Sequence, residues 1–374
     1  MNYLNCLIEQ LCPQGVEYRP LEQCCYILDK KRKPVTKAAR EAGEYPYYGA
    51  NGVQDYVSDY IFDGTFVLVG EDGSVVTPTG TPVVTWATGK IWVNNHAHII
   101  EEKDGVLLRF LFHFLQTVNV SPLIHGNIPK LTGGDFRGIR IPLPPLPVQE
   151  EIVRILDSFT ELMAELTTEL TARRKQYEHY RDELLTIEDG VECKLIGDVC
   201  ALSAGGDVPK EKFSKEKTDE YSVPIYSNGI GENALYGFTN IAKIQAPCVT
   251  VAARGTIGYC ELRNENFFPV VRLICAKPKE NILPAYLKYF IETIKFQVPK
   301  SGIPQLTVPM LAKYQIPVLQ LEEQERIIRL LSKFDTLCND LTSGLPAEIA
   351  ARQKQYEYYR DKLLTFSDLD DKLR

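Results

Sequence analysis

The chain has 374 residues, 44% of them hydrophobic and 24% charged, with a formal net charge of -7. That length exceeds one ordinary core and fits two or three domains of a soluble globular protein. No apolar run reaches the ~20 residues of a membrane helix, and MNYLNCLIEQLCP lacks the basic start and apolar core of a signal peptide, so the expected location is cytoplasmic.

Residues 1–14 read as an N-terminal stub. From residue 15 the chain is one unit written twice, with a period of about 175 residues. GVEYRPLEQCC starts at Gly15 and GVECKLIGDVC at Gly190. In the first copy, Lys30, Lys31, Arg32, Lys33, Lys37 and Arg40 form a basic run with no acid inside it. Such a run is ordinarily a solvated loop; read functionally, it neutralises phosphates in a salt-dependent way. PYYGANG follows, with Tyr48, Asn51 and Gly52. An Asn amide can pair with adenine through two hydrogen bonds, and Gly permits close backbone approach. The bland alternative is a plain type I′ or II turn. Segments 65–69 and 83–86 read as strands and 107–115 as a helix. His96 and His98 form an H-x-H on one strand face. No third ligand lies near them in sequence, and no metal is assigned.

IPLPPLP, at 141–147, excludes helix before about residue 147. Beyond it Ile152, Leu156, Phe159, Met163, Leu166, Leu170, Arg173, Tyr177, Tyr180 and Leu184 alternate steps of four and three. At ~1.5 Å per residue, a helix over 148–186 is roughly 58 Å long. That length suits a span between domains better than a core.

The second copy repeats the order. Lys210, Lys212, Lys215 and Lys217 are interrupted by Glu211 and Glu216, and PIYSNG supplies Tyr226, Asn228 and Gly229. Segments 248–252 and 270–275 read as strands and 285–296 as a helix. FVLVGEDGSV (66–75) matches CVTVAARGTIG (248–258), with Gly73-Ser74-Val75 on Gly255-Thr256-Ile257. Arg254 fits bidentate contact to guanine, or else a surface ion pair. GNIPKLT (126–132) matches SGIPQLT (301–307).

The helical parts agree best. IPLPPLPVQEEIVRILDSFTEL (141–162) aligns without a gap to IPVLQLEEQERIIRLLSKFDTL (316–337), and RKQYEHYRDELLT (174–186) to QKQYEYYRDKLLT (353–365). The second seam is Ile327, Leu331, Phe334, Cys338 and Leu341, then Ile349, Tyr356, Tyr359 and Leu363. Extra residues around Ser343-Gly344-Leu345-Pro346 break or kink it. The expected fold is α+β. Two repeated globular domains, 15–145 and 190–315, are separated by helical regions 146–189 and 316–374, whose two long helices pair as an antiparallel coiled coil.

Catalytic equipment is missing from the sequence. There is no Walker A loop, no G-x-G-x-x-G after a strand, no G-x-S-x-G and no H-E-x-x-H. An Asn-Pro-Pro-aromatic motif is absent too. The ten cysteines lack zinc spacing and read as buried free thiols. No catalytic residue is assigned.

The tandem arrangement and the paired helical sequences resemble the specificity subunit of type I restriction–modification enzymes. The likeness covers nearly the whole chain and is weakest in the globular parts, which correspond to that family's variable target-recognition domains. It implies that each globular part reads one half of a split sequence in double-stranded DNA. The helical regions would set the spacing, and the seam residues would dock two methyltransferase subunits. Those partners would use S-adenosylmethionine to methylate adenine, and restriction subunits would use ATP and Mg; this chain would bind no cofactor. An acidic scaffold with basic loops reconciles the net charge with DNA binding. The resemblance also admits a stand-alone or silent specificity cassette that acts only as an interaction scaffold. The insertion at Ser343–Pro346 departs from strict two-fold symmetry.

Overall fold

The computed structural model describes residues 2–73, 75–186, 190–279, 281–298, 304–340 and 342–369. Ser74, Leu341 and 301–303 of the matched motifs lie outside them. Two compact units result: Met1–Leu166 with Ile349–Arg374, and Thr167–Glu348. The expected limits at 145/146 and 315/316 separate globular from helical sequence. The units divide instead inside the helical regions, because each globular part keeps a stretch of both. Among the described residues no helix is long and apolar enough to cross a membrane.

In the first unit the expected stub is a helix, Asn2–Leu11. Its Leu4 is fully buried, with Leu7 and Ile8 packed on the same core; that i, i+3, i+4 stripe is what a short amphipathic helix buries. An antiparallel ribbon, Glu17–Pro20 with Arg140–Leu143, closes the globular part. Between them lies a six-stranded mixed sheet, ordered Tyr26–Ile27, Ala97–Glu101, Phe62–Gly70, Val84–Val93, Ala42–Gly49, Gly52–Val57. Alternation splits the Phe62–Gly70 strand between two clusters. Val67 and Val69 join helix Leu108–Leu115, while Phe66 and Leu68 join Ile91 and Ile99. The main core also takes Ile152, Leu156, Tyr356 and Leu363 from the helical regions.

The second unit repeats this plan. Its ribbon pairs Cys193–Leu195 with Gln315–Pro317. A four-stranded sheet runs Cys200–Ala204, Ile274–Pro278, Cys248–Val251, Cys260–Arg263, and a three-stranded one runs Leu235–Thr239, Val223–Tyr226, Phe268–Pro269. Helix Pro284–Thr293 packs Tyr286 and Leu287 into the core beside Tyr177, Ile327 and Leu331.

The first helical region is one helix, Leu146–Leu184, of 39 residues. The second is two, Leu321–Asn339 and Leu345–Leu363, so the second long helix is corrected to a broken one. Asp340 makes the break: its carboxylate accepts Thr342 N (2.7 Å) and the hydroxyls of Thr342 and Ser343 (both 2.6 Å). Only glycine fits at 344, where a Cβ would lie 2.5 Å from Thr336 O. In the second unit, Tyr180 packs on Phe334 (5.7 Å) and Arg174 donates to Cys338 O (3.3 Å), an antiparallel order.

The docking assignment of the seam needs correcting. Ile152, Leu156, Tyr177, Ile327, Leu331, Tyr356 and Leu363 are buried inside their own units. Phe159, Met163, Leu166, Leu170, Leu184, Phe334 and Tyr359 are half-buried, and Tyr180 is 40% exposed. Phe159 stacks on Tyr359 at 5.5 Å. Much of the apolar stripe therefore completes each unit's core, while Tyr180, Leu184 and Phe334 stay partly open.

Candidate nucleic-acid interface

In the second unit, loops converge where strand Cys248–Val251 ends and Ile274–Pro278 begins, with Val251 opposite Ile274. Asn228 ties them together. Its Oδ1 accepts Ala253 N (2.7 Å), its Nδ2 donates to Val271 O (2.7 Å), and its backbone oxygen accepts the Thr256 hydroxyl (2.8 Å). The amide expected to read adenine is therefore spent on the fold. Gly229 is equally structural, since a Cβ there would meet Asn233 O at 2.1 Å. Tyr226 lies under the Arg263 guanidinium (3.8 Å), packs on Phe267 and donates to Glu265 (2.7 Å). Burial, reinforced by that carboxylate, pushes its hydroxyl up to about 12. Neither Asn228 nor Tyr226 is a free base reader.

Arg254 behaves differently. Its Nε and Nη2 donate to one oxygen of Gln305 (3.1 and 2.7 Å), and it makes no ion pair among the described residues. Beside it, Val271 and Arg272 hold φ of 52° and 63°. A β-branched residue in this left-handed region costs on the order of 1–3 kcal/mol. Backbone bonds from Val271 N to Gly206 O (2.9 Å) and Arg272 N to Gly205 O (3.0 Å) hold the pair there, both side chains exposed. Sequence reasoning missed Arg272, which stands in no recognisable motif. Lys210 and Lys212 are exposed on the loop before the Asn228 turn.

In the first unit the basic run splits. Lys30, Lys31, Lys33 and Lys37 are exposed. Arg32 is engaged inside the unit: its side chain is 12% exposed and pairs with Glu71 (2.6 Å) and Asp29 (3.6 Å). It also donates to Ala97 O at 2.5 Å. Arg40 pairs with Asp55 (3.2 Å) and covers the Tyr47 ring. Tyr48, the aromatic residue of the candidate PYYGANG turn, is buried and packs with Phe66 and Ile91. Asn51 is exposed in the tight turn that joins Gly49 to Gly52, and Gly52 has φ +84° with open space around it.

His96 and His98 part company. His96 pairs with Asp72. His98 is buried between Asp29 (2.8 Å) and Leu131 O (3.0 Å), stacked on Phe136. Space supplies the third ligand that sequence did not, since Asp29, Glu71 and His98 present donor atoms within 4.8 Å of one another. Arg32 and Lys130 (3.2 Å from Glu71) already balance those carboxylates, and no metal is assigned.

All ten cysteines are free; Cys6 alone is exposed and Cys193 half-buried. Burial pushes the Cys24 and Cys25 thiols up to about 11 and about 12.

A family model described as the type I restriction modification DNA specificity domain matches residues 13–173 and again 188–351. A Haemophilus influenzae protein assigned as a type I restriction enzyme specificity subunit is 37% identical, over 94% of this chain and 96% of that one. The Escherichia coli type I restriction enzyme EcoR124I/EcoR124II specificity subunit is 35% identical, over 71% of this chain and 72% of its own. The fold is similar to that of the type I restriction–modification system S subunit from M. genitalium. That match has a TM-score of 0.61 at 16% identity and covers 94% of this chain and 96% of the other.

Proposed function

The chain belongs to the family of type I restriction–modification DNA specificity subunits, and from that premise we propose how it divides the work. The globular part of each unit reads one half of a two-part DNA sequence. The helical regions join the halves and set the spacing between them. The chain carries out no chemistry itself. Two methyltransferase subunits bring S-adenosylmethionine, and restriction subunits bring ATP- and Mg-dependent cleavage.

The observation that carries this reading is one scaffold built twice with different surface chemistry. The exposed lysines of 30–37 and the loops around Arg254 offer contacts of two kinds. Phosphate contacts position a protein on DNA, and base-edge contacts specify sequence. For partner docking, the second unit offers a groove of about 400 Å³ lined by Tyr180, Leu184, Leu330 and Phe334. Leu330 and Leu337 stay 38% and 37% exposed on helix Leu321–Asn339.

The test is a domain exchange. Residues 15–145 are replaced by the matching segment of a relative with a different target, and the hybrid is expressed with its methyltransferase partner. Mapping methylated positions should show one half-site changed and the other retained. A change in both halves would refute independent reading.

A further inference from the structure

The two units build one backbone frame and hang opposite chemistry on it. In the first unit, Asn94 N donates to Tyr48 O (3.0 Å) and Leu131 N to Glu71 O (2.8 Å). In the second, Val270 N donates to Tyr226 O (2.9 Å) and Leu306 N to Ala253 O (2.9 Å). The strand register agrees, with Val69 opposite His98 and Val251 opposite Ile274. Counting from these shared bonds, Asp72 stands where Arg254 stands, His96 where Arg272 stands, and Lys130 where Gln305 stands.

The backbone bonds that locate these positions match, whereas the side chains invert. Asp72 pairs with His96 in one unit; Arg254 leans on the neutral Gln305 in the other. The positions face outward: His96 and Lys130 are each 47% exposed, and Arg272 is exposed with no ion pair among the described residues. Asn228 is the positioning residue of the second set, because its one amide binds both the Ala253 and the Val271 backbone.

We propose that these matched positions are the base-reading sets of the two units, an inference that rests on half-site reading. Arg254 and Arg272 would address the O6 and N7 acceptors of guanine in the major groove. Asp72, oriented by His96, would accept from the exocyclic amine of cytosine. Lysines of the 30–37 run would supply the sequence-independent grip. One scaffold then reads different half-sites by exchanging three side chains at fixed backbone places.

The experiment uses the full chain assembled with its methyltransferase subunits, and maps methylated sites for Arg272→Gly, Arg272→Gln and Asp72→Asn. Glycine suits the left-handed backbone at 272 better than any other residue, so the first variant deletes the side chain without straining the fold. Each Arg272 variant should lose guanine preference at one position of the second half-site. The expected loss of discrimination is roughly ten- to hundredfold, with the first half-site intact. Asp72→Asn should relax one position of the first half-site only. Active variants whose half-sites both stay unchanged overturn the proposal and leave half-site reading standing. A wild-type complex that marks no two-part site would instead refute half-site reading itself.

Discussion

Gln324 makes in the second unit the hydrogen bonds that Gln149 makes in the first. Gln149 accepts from Leu107 N (2.9 Å) and donates to Gly105 O (3.2 Å) and Pro144 O (2.8 Å). Gln324 accepts from Leu283 N (2.8 Å) and donates to Asn281 O (2.7 Å) and Leu319 O (2.9 Å). Both side chains are buried. Each clasps the start of a long helix to the turn before the preceding one. Leucine there would strand one backbone donor and two acceptors, at about 1–3 kcal/mol for each group left unpaired. Gln324→Leu should therefore destabilise the protein by about 3 kcal/mol or more. Urea denaturation checks this, and a loss below about 1 kcal/mol would show that the clasp is dispensable.

His113 predicts a pH dependence of the first unit. Its ring is fully buried, with Nε2 2.8 Å from Asp157 and Nδ1 3.1 Å from the Tyr356 hydroxyl. Burial pushes the imidazole below its ordinary 6.5, against its hydrogen bond to the Asp157 carboxylate, which raises it. Burial also pushes the Asp157 carboxyl up, but bonds from His113 and Arg109 outweigh this and hold it low. The unfolded chain takes up a proton near 6.5 that the folded one refuses, so His113 costs stability as pH falls below that value. His113→Asn should shrink the difference in urea midpoint between about pH 7.5 and about pH 5.5. An equal difference in both proteins would assign the pH response to other groups.

The split basic run predicts two unlike phenotypes. Lys31→Ala with Lys33→Ala removes two exposed charges; it should weaken binding to all DNA sequences alike. The salt slope should flatten by about 0.9 for each phosphate that is no longer neutralised. Arg32→Ala strips the guanidinium from Asp29 and Glu71. Removing one partner of a largely buried ion pair costs up to about 3–5 kcal/mol. His98 and Lys130 keep part of the pairing, and the primary effect should still be a lowered melting temperature. If Arg32→Ala melts normally but binds DNA with a flattened salt slope, the internal pairing is not what the residue is for.

The same contrast explains what could be read beforehand. The prolines of 142–147 announce a helix start close to the observed Leu146, and Gly344 with Pro346 announces the break before Leu345–Leu363. Both effects are local, set by backbone geometry within a few residues. Tyr48, Arg32 and Asn228 have the right chemistry for DNA, yet their partners arrive from far along the chain. Glu71 lies thirty-nine residues from Arg32, and Val271 forty-three from Asn228. Periodicity likewise marked an apolar seam without saying what would cover it. The matched sets were partly legible, because the repeat aligns Asp72 with Arg254 and Lys130 with Gln305. His96 and Arg272 became a pair only through strand register.

The two units divide between the copies of a repeated tetrapeptide in the long helix. Met163-Ala164-Glu165-Leu166 is followed by Thr167-Thr168-Glu169-Leu170, and the units part between Leu166 and Thr167. Helix Leu146–Leu184 continues through both tetrapeptides, with Leu166 and Leu170 half-buried at matching places. A third tetrapeptide inserted after Leu170, four residues past that boundary, adds roughly 6 Å of helix. It also rotates the C-terminal part of the helix by about 40°, since four residues slightly exceed one turn. DNA rises ~3.4 Å per base pair, so the spacer between half-sites should lengthen by about one to two base pairs while both half-site sequences persist. Mapping methylated positions for the insertion variant tests this. A variant that stays active on the original spacing would show that this helix does not set the distance.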